Sequence, residues 1–293
     1  MTEHSIDCIV RFHDVRRLSE LNRCVFSLVG QSHRPVNVIL ALQRFSPDAL
    51  AATHQALQPL LELPEAPTLT VCNFNEPTPV DARGALLNMG LRAARGRYIG
   101  FLDYDDVLYP EAYTLLTRQM EASDAAIAFA SVRVVMADVY PQFLRVDHEV
   151  QNRFGPGDRL RDLFDANFCP IHSFLIDRHK VAAQDLVFDP SLKWEEDYDF
   201  LLRLCARYRS NFKLIGTQIG DYYYKRDGSN SIPVGSVKSP VLIQAYENIR
   251  LIMEARRRTT LVSAEVQAEQ GLSPYRSAMT IRDFMNAVPG RAG

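Results

Sequence analysis

Short apolar runs alternate with helical-period segments through the first half of the chain. "IDCIV" (6–10), "VNVILAL" (36–42) and "TLTVCNF" (68–74) are apolar nearly throughout, as buried strands are. Between the first two, Leu18, Leu21, Val25 and Leu28 mark one face of a helix that Gly30 can close. Ser46-Pro47 supplies an N-cap and a first-turn proline for a second helix, which fades near Leu63. Residues 81–95 predict a third helix with Gly96 as its stop. "RYIGFL" (97–102) predicts a fourth strand, and Pro110 the start of a fourth helix. Strands that alternate with helices and are apolar on both faces form a parallel sheet covered on both sides. Such sheets bind ligands at the carboxyl ends of their strands.

The second half is less regular. Residues 126–137, 171–177 and 214–225 read as strands, and 195–208 as a helix with an acidic first turn. Ser239-Pro240 predicts a further helix with Leu242, Tyr246, Ile249 and Ile252 along one face, and Ser273-Pro274 predicts another. The pattern divides the chain into an α/β domain over residues 1–231 and a C-terminal helical extension over 232–293. That extension carries Arg256, Arg257 and Arg258, a basic run suited to an anionic membrane surface, and its apolar stripe suits packing on the catalytic domain or on a second copy.

Composition narrows the function. Hydrophobic residues are 47% and charged residues 23%, an ordinary globular balance, and the net charge of -2 argues against a nucleic-acid partner. The five cysteines form no CxxC pair, and Cys8, Cys24 and Cys205 sit among apolar residues, as small buried thiols in a reducing compartment would. No two histidines have zinc-ligand spacing. Glu3, His4 and Asp7 stand where a signal peptide would be apolar, and no apolar stretch is long enough to span a bilayer. A cytoplasmic protein is expected, with peripheral membrane contact left open.

The chemistry concentrates in "YIGFLDYDDVLYPEAY" (98–113), where Asp103, Asp105 and Asp106 follow a strand. A D-x-D at a strand end suits a hard divalent cation such as Mn²⁺ or Mg²⁺, which prefers oxygen ligands and shares them with phosphates. The local alternative is that these residues cap the helix at Pro110, which accounts for Asp106 better than for the pair. No lysine stands nearby in the sequence to neutralise the pair.

"LLNMGLRAARGRYIGFLDYDDVLYPEAY" resembles the N-x-G…A-x-G-x-Y-I-x-F-L-D-x-D-D…P signature of family 2 glycosyltransferases with the GT-A fold. "FDPSLKWEEDYDFLLRL" (188–204) is similar to that family's E-D motif, and the opening "IDCIVRFHDVRRLSELNRCVFSLVGQS", with Ser27…Gln31, to its first strand and helix. The resemblance implies a Rossmann-like, mostly parallel sheet with helices on both faces. It implies transfer of a sugar, with inversion, from a nucleotide-sugar donor to a hydroxyl of a glycan or glycolipid acceptor, in bacterial surface polysaccharide or glycolipid assembly. Asp103 and Asp105 then hold the metal and nucleotide, with Asp105 the direct ligand and Tyr104 between them. Asp197 falls on the catalytic base and Glu196 beside it; the local alternative is an acidic turn favoured by the helix dipole. On either account the helix N-terminus keeps Asp197 charged.

Other positions depart from the family or carry weaker signals. The second strand runs into "ALQRFSP" where the family has an acidic turn, so Gln43 is the candidate for a uracil edge. Arg11 either approaches the nucleotide or makes a surface ion pair. Asp81 and Arg83 face the nucleotide by resemblance, or form a local salt bridge. "YYYKRDGSNS" (222–231) puts Arg226 where the family often has a metal- or diphosphate-binding His; Arg cannot ligate a metal but pairs with phosphate. His172 and Trp194 are the acceptor-side candidates, although a lone His beside apolar residues, as His172 is, reads more readily as a core residue. A non-catalytic scaffold that binds a nucleotide-sugar or glycan would have lost the D-x-D or the E-D pair. An aspartate-nucleophile phosphohydrolase would carry its D-x-D after the first strand.

Overall fold

The computed structural model describes residues 4–151, 154–230 and 240–289. One nine-stranded sheet organises them: β1 (Ile6–Phe12), β2 (Val36–Gln43), β3 (Thr68–Phe74), β4 (Tyr98–Asp103), β5 (Val107–Leu108), β6 (Ile127–Val139), β7 (Leu144–Glu149), β8 (Phe174–Asp177) and β9 (Ser210–Lys225). The order is β3-β2-β1-β4-β8-β6-β9-β5, with β7 hairpinned onto β6. The first four strands are parallel, as their apolar runs predict; β1, β2 and β4 are buried on both faces, whereas β3, at the edge of the sheet, has no buried residue. β8 runs antiparallel between β4 and β6, and β9 returns parallel to β6.

The helices are α1 (Leu18–Val29), α2 (Pro47–Leu61), α3 (Arg83–Ala93), α4 (Ala112–Ser123), α5 (Leu160–Asp165), α6 (Glu196–Arg207), α7 (Pro240–Thr259), α8 (Ala264–Glu269) and α9 (Ile281–Ala287). The two-residue period of the strands sorts side chains between two cores. Cys8 and Val10 face α1 and α4 (Leu21, Val25, Leu116), whereas Ile9, Ile99 and Phe101 join Phe188, Phe200 and Leu204 on the other face. Gly90 lies in α3 where a Cβ would come within 2.5 Å of Ile9, so helix and strand meet at a distance only glycine allows. Asn88 donates to the Phe188 carbonyl at 2.9 Å and accepts its N–H at 2.8 Å, which ties α3 to the segment leading into α6.

Several sequence expectations need correction. Asp106 caps no helix: α4 begins at Ala112, and Asp106 instead accepts the Tyr223 N–H at 2.8 Å. Ser273-Pro274 is a cis turn, and α9 starts later behind a Thr280–Asp283 capping box. Ser239 lies outside the described residues. The exposed strand β7, two-residue β5 and short α5 and α8 lack a periodic signature, and sequence reasoning missed them.

The C-terminal helices share the large core: Met253, Val262, Val266, Ile281 and Phe284 are buried among the residues of α5 and α6. Two of the three arginines of the basic run turn inward. Arg256 binds Asp199 of α6 at 2.6 Å and Asp189 at 2.9 Å, and Arg257 donates to the Phe164 carbonyl at 2.7 Å and the Tyr198 hydroxyl at 2.9 Å. Arg258 stays at the surface on Glu254. Arg256→Ala should therefore lower unfolding stability by about 1–3 kcal/mol, since it takes a charged partner from a fully buried carboxylate. Arg258→Ala should change it by less than about 0.5 kcal/mol. Urea unfolding of both variants checks the contrast; equal losses would contradict it.

Candidate active site

The registers of β1 and β4 place Arg11 directly beside Asp103 at the carboxyl ends of these parallel strands. Arg11 follows Ile9, and Asp103 follows Phe101, on the face that α6 covers. The Arg11 guanidinium consequently forms a two-point contact with Asp103, its Nη2 lying 2.9 Å from Oδ2, and its Nη1 reaches Glu196 Oε1 at 2.6 Å. The D-x-D turn and the E-D turn, far apart in the chain, thus meet on one side chain. Burial alone would push the Asp103 carboxyl up, but the charge and hydrogen bonds of Arg11 more than offset this and leave it lowered.

A cleft of about 320 Å³ opens over this end of the sheet, lined by Arg11, Gln43, Asp81, Arg83, Asp103, Tyr104 and Asp105 together with residues of β9 and its following loop. Seven of the sequence-predicted site residues therefore converge. Gln43 is already engaged there: its amide nitrogen donates to the Val80 carbonyl at 3.0 Å and its oxygen accepts the Ala82 N–H at 3.3 Å. Asp81 and Arg83 form the local salt bridge, at 2.9 Å, on the cleft wall. Tyr104 packs edge-on against Phe12 with ring centroids 5.1 Å apart.

Oxygens of Asp103, Asp105 and Asp106 all lie within 4.8 Å of one another. They do not stand unneutralised, as the sequence suggested. The Lys225 ammonium lies 2.7 Å from Asp105 Oδ2. Asp106 is buried, and burial together with Asp105 and Asp103 pushes its carboxyl well above the usual range. His172 stacks on Tyr222 at 6.2 Å, fully buried, with Nδ1 3.5 Å from Asp106; burial lowers its imidazole to about 4 and keeps it neutral. It sits beneath the carboxylates and does not line the cleft.

Asp197 occupies the first turn of α6, behind Glu195 in a left-handed conformation (φ 59°) that a Cβ disfavours by about 1 kcal/mol or more. The helix N-terminus does not keep Asp197 charged. Burial, then Glu196 and Glu195, push its carboxyl up to about 8. Trp194 is stacked on Tyr246 of α7, centroids 5.0 Å apart. Arg226 is not brought to the cleft: it pairs with Asp138 at 3.2 Å and with Asp147, at the β6–β7 hairpin. The strand period sends Lys225 inward and its neighbour outward.

Sequence reasoning missed Lys225 and Glu20. The signal was the alternation of "YYYKRD", which turns the Lys225 side chain toward Asp105, whereas Tyr223 meets Asp106 only through its backbone N–H. It also gave no role to Ser27 and Gln31, which brace the turn: Ser27 Oγ accepts the Leu108 N–H at 3.2 Å, and Gln31 donates to the Tyr109 carbonyl at 2.8 Å.

Known proteins share this fold. Residues 8–183 match the sequence profile of Glycosyl transferase family 2. The succinoglycan biosynthesis protein ExoO of Rhizobium meliloti (strain 1021) is 30% identical over 155 residues, which are 50% of this chain and 43% of ExoO. The chain thus spans less than half the length of that relative. Among solved structures, TarS of S. aureus in complex with UDP-GlcNAc superposes with a TM-score of 0.59 at 14% identity, covering 92% of this chain and 70% of that one. The mannosyltransferase PcManGT of Pyrobaculum calidifontis, with GDP-Man and Mn²⁺, gives a TM-score of 0.50 at 12% identity, covering 93% and 76%. Sequence and fold agree: the chain belongs to glycosyl transferase family 2 and has the GT-A fold.

Proposed function

We propose that the protein is a metal-dependent, inverting glycosyltransferase that moves a sugar from a UDP-sugar to a hydroxyl of a glycan or glycolipid. The observation that carries this reading is Arg11, which joins Asp103 of the D-x-D to Glu196 of the E-D pair and so brings the two motifs together at the carboxyl ends of β1 and β4. The relatives point the same way: ExoO acts in succinoglycan biosynthesis, and TarS structures hold UDP and UDP-GlcNAc. The base and the sugar rest on that analogy, and bacterial surface polysaccharide assembly is the process it favours.

The donor set fits Mn²⁺ or Mg²⁺. Asp103 and Asp105 offer hard carboxylate oxygens at the cleft, and Asp106, which also lines it, has one oxygen taken by the Tyr223 N–H. A bound cation would neutralise the charge of the departing diphosphate. Asp197 removes the proton from the acceptor hydroxyl. The hydroxyl oxygen forms its bond to the anomeric carbon as the bond from that carbon to the diphosphate oxygen breaks, and the nucleoside diphosphate leaves from the opposite face. Arg11, held by Asp103 and Glu196, positions both carboxylates for this.

Two outcomes follow. Asp105→Ala should abolish transfer and weaken Mn²⁺-dependent binding of UDP, measured by calorimetry with and without the metal. Equal UDP affinity in the two conditions for the unaltered protein would refute metal dependence.

Asp197 must be ionised to accept a proton, and its carboxyl is raised to about 8, so transfer should climb as pH rises from 6 through 8 and level off above. Asp197→Asn should lower the rate by roughly 10²–10⁴-fold. Linkage gives a second readout. A raised folded-state value means the neutral carboxyl is the stabilising form, fully so below its ordinary 3.8 and lost as pH climbs through about 8. The Asn variant should therefore melt above the parent at pH 9. A variant with near-parental transfer would remove Asp197 from the role, and Glu196→Gln tests its neighbour.

A further inference from the structure

The Lys225 side chain is 1% exposed, yet its ammonium sits 2.7 Å from Asp105 and 3.0 Å from Glu20 of α1. Burial alone would disfavour this ammonium, but the two carboxylates more than offset that and hold it charged. The Tyr104 ring lies 5.6 Å away, so the cation is enclosed by an aromatic face as well as by oxygens. Lys225 is absent from the cleft lining and approaches Asp105 from behind. Glu20 has a second partner, Arg17, at 2.7 Å, so it stays neutralised whatever Lys225 does. With Arg11 on Asp103, each carboxylate offered to a metal already has a cation from the chain itself.

We infer that Lys225 is a positioning residue that sets the divalent-cation affinity of the empty cleft: it neutralises Asp105, so a cation binds weakly alone and tightly only when a nucleoside diphosphate adds negative charge. This rests on the reading that Asp103 and Asp105 hold the cation. The physical reason is Coulombic. A unit positive charge within a few ångströms of the ligand oxygen repels an incoming dication directly and satisfies the carboxylate that would attract it. Lys225 does not itself reach the diphosphate, because it has no surface in the cleft.

The test is Mn²⁺ titration of the nucleotide-free full chain, with free Mn²⁺ read by its electron paramagnetic resonance signal, repeated with UDP or GDP present. Lys225→Met removes the charge and keeps the length; it should tighten nucleotide-free Mn²⁺ binding by about tenfold or more. Lys225→Arg keeps the charge and should leave that affinity near the parental value. Glu20→Gln leaves Lys225 to Asp105 alone and should weaken Mn²⁺ binding, a change of opposite sign that decides the matter if Lys225→Met does not fold. Unchanged or weaker Mn²⁺ binding in folded Lys225→Met would overturn the inference, even with Mn²⁺ bound normally in the presence of nucleotide. No Mn²⁺ binding by any form, with nucleotide or without, would overturn both the inference and the metal-dependent reading beneath it.

Discussion

The Arg11 guanidinium lies where the two acidic turns converge, in contact with Asp103 and Glu196 at once. Parallel pairing of β1 with β4 forces this meeting, because the register sets Arg11 opposite Asp103 and the strand period turns both toward α6. Without a buried cation there, like charges a few ångströms apart would repel by about 4 kcal/mol at the effective dielectric of a protein surface. The same constraint governs the neighbours. Asp105 is matched by Lys225, and Asp106, which has no full cation of its own, is driven toward its neutral form.

The acidic turn at the start of α6 is held from the far side by the C-terminal helices. Asp199, fully buried, is shared between Arg203 of its own helix and Arg256 of α7. Arg257 reaches the Tyr198 hydroxyl and the end of α5. These contacts hold the first turn behind the left-handed Glu195, a conformation that surrounding packing must impose. A basic run that reads as a membrane-facing feature is therefore chiefly a clamp on α6.

Support from the other side comes through α1. Ser27 and Gln31 hold the backbone from Leu108 to Tyr109 just beyond the aspartates. Glu20, one turn into the same helix, carries Lys225. One helix thus fixes both the backbone that follows the D-x-D and the cation behind it.

The local pattern determined the alternation of β1–β4 with α1–α4, the two-sided burial of β1, β2 and β4, and the D-x-D and E-D turns at the ends of their elements. These are legible because periods of 2 and 3.6 and capping residues act over a few neighbouring positions. The tertiary structure alone decided how charges distant in the chain pair. Lys225 and Glu20 are 205 residues apart, and nothing local brings them together. Whether Lys225 or Arg226 turns inward depends on the register of β9 against β6, which shifts at irregularities along the pair. The raised carboxyl of Asp197 arises from burial and from two neighbouring glutamates, and its helix-terminal position predicted the reverse. Charge pairing acts through space, so it follows from which faces meet, and a linear pattern does not encode that.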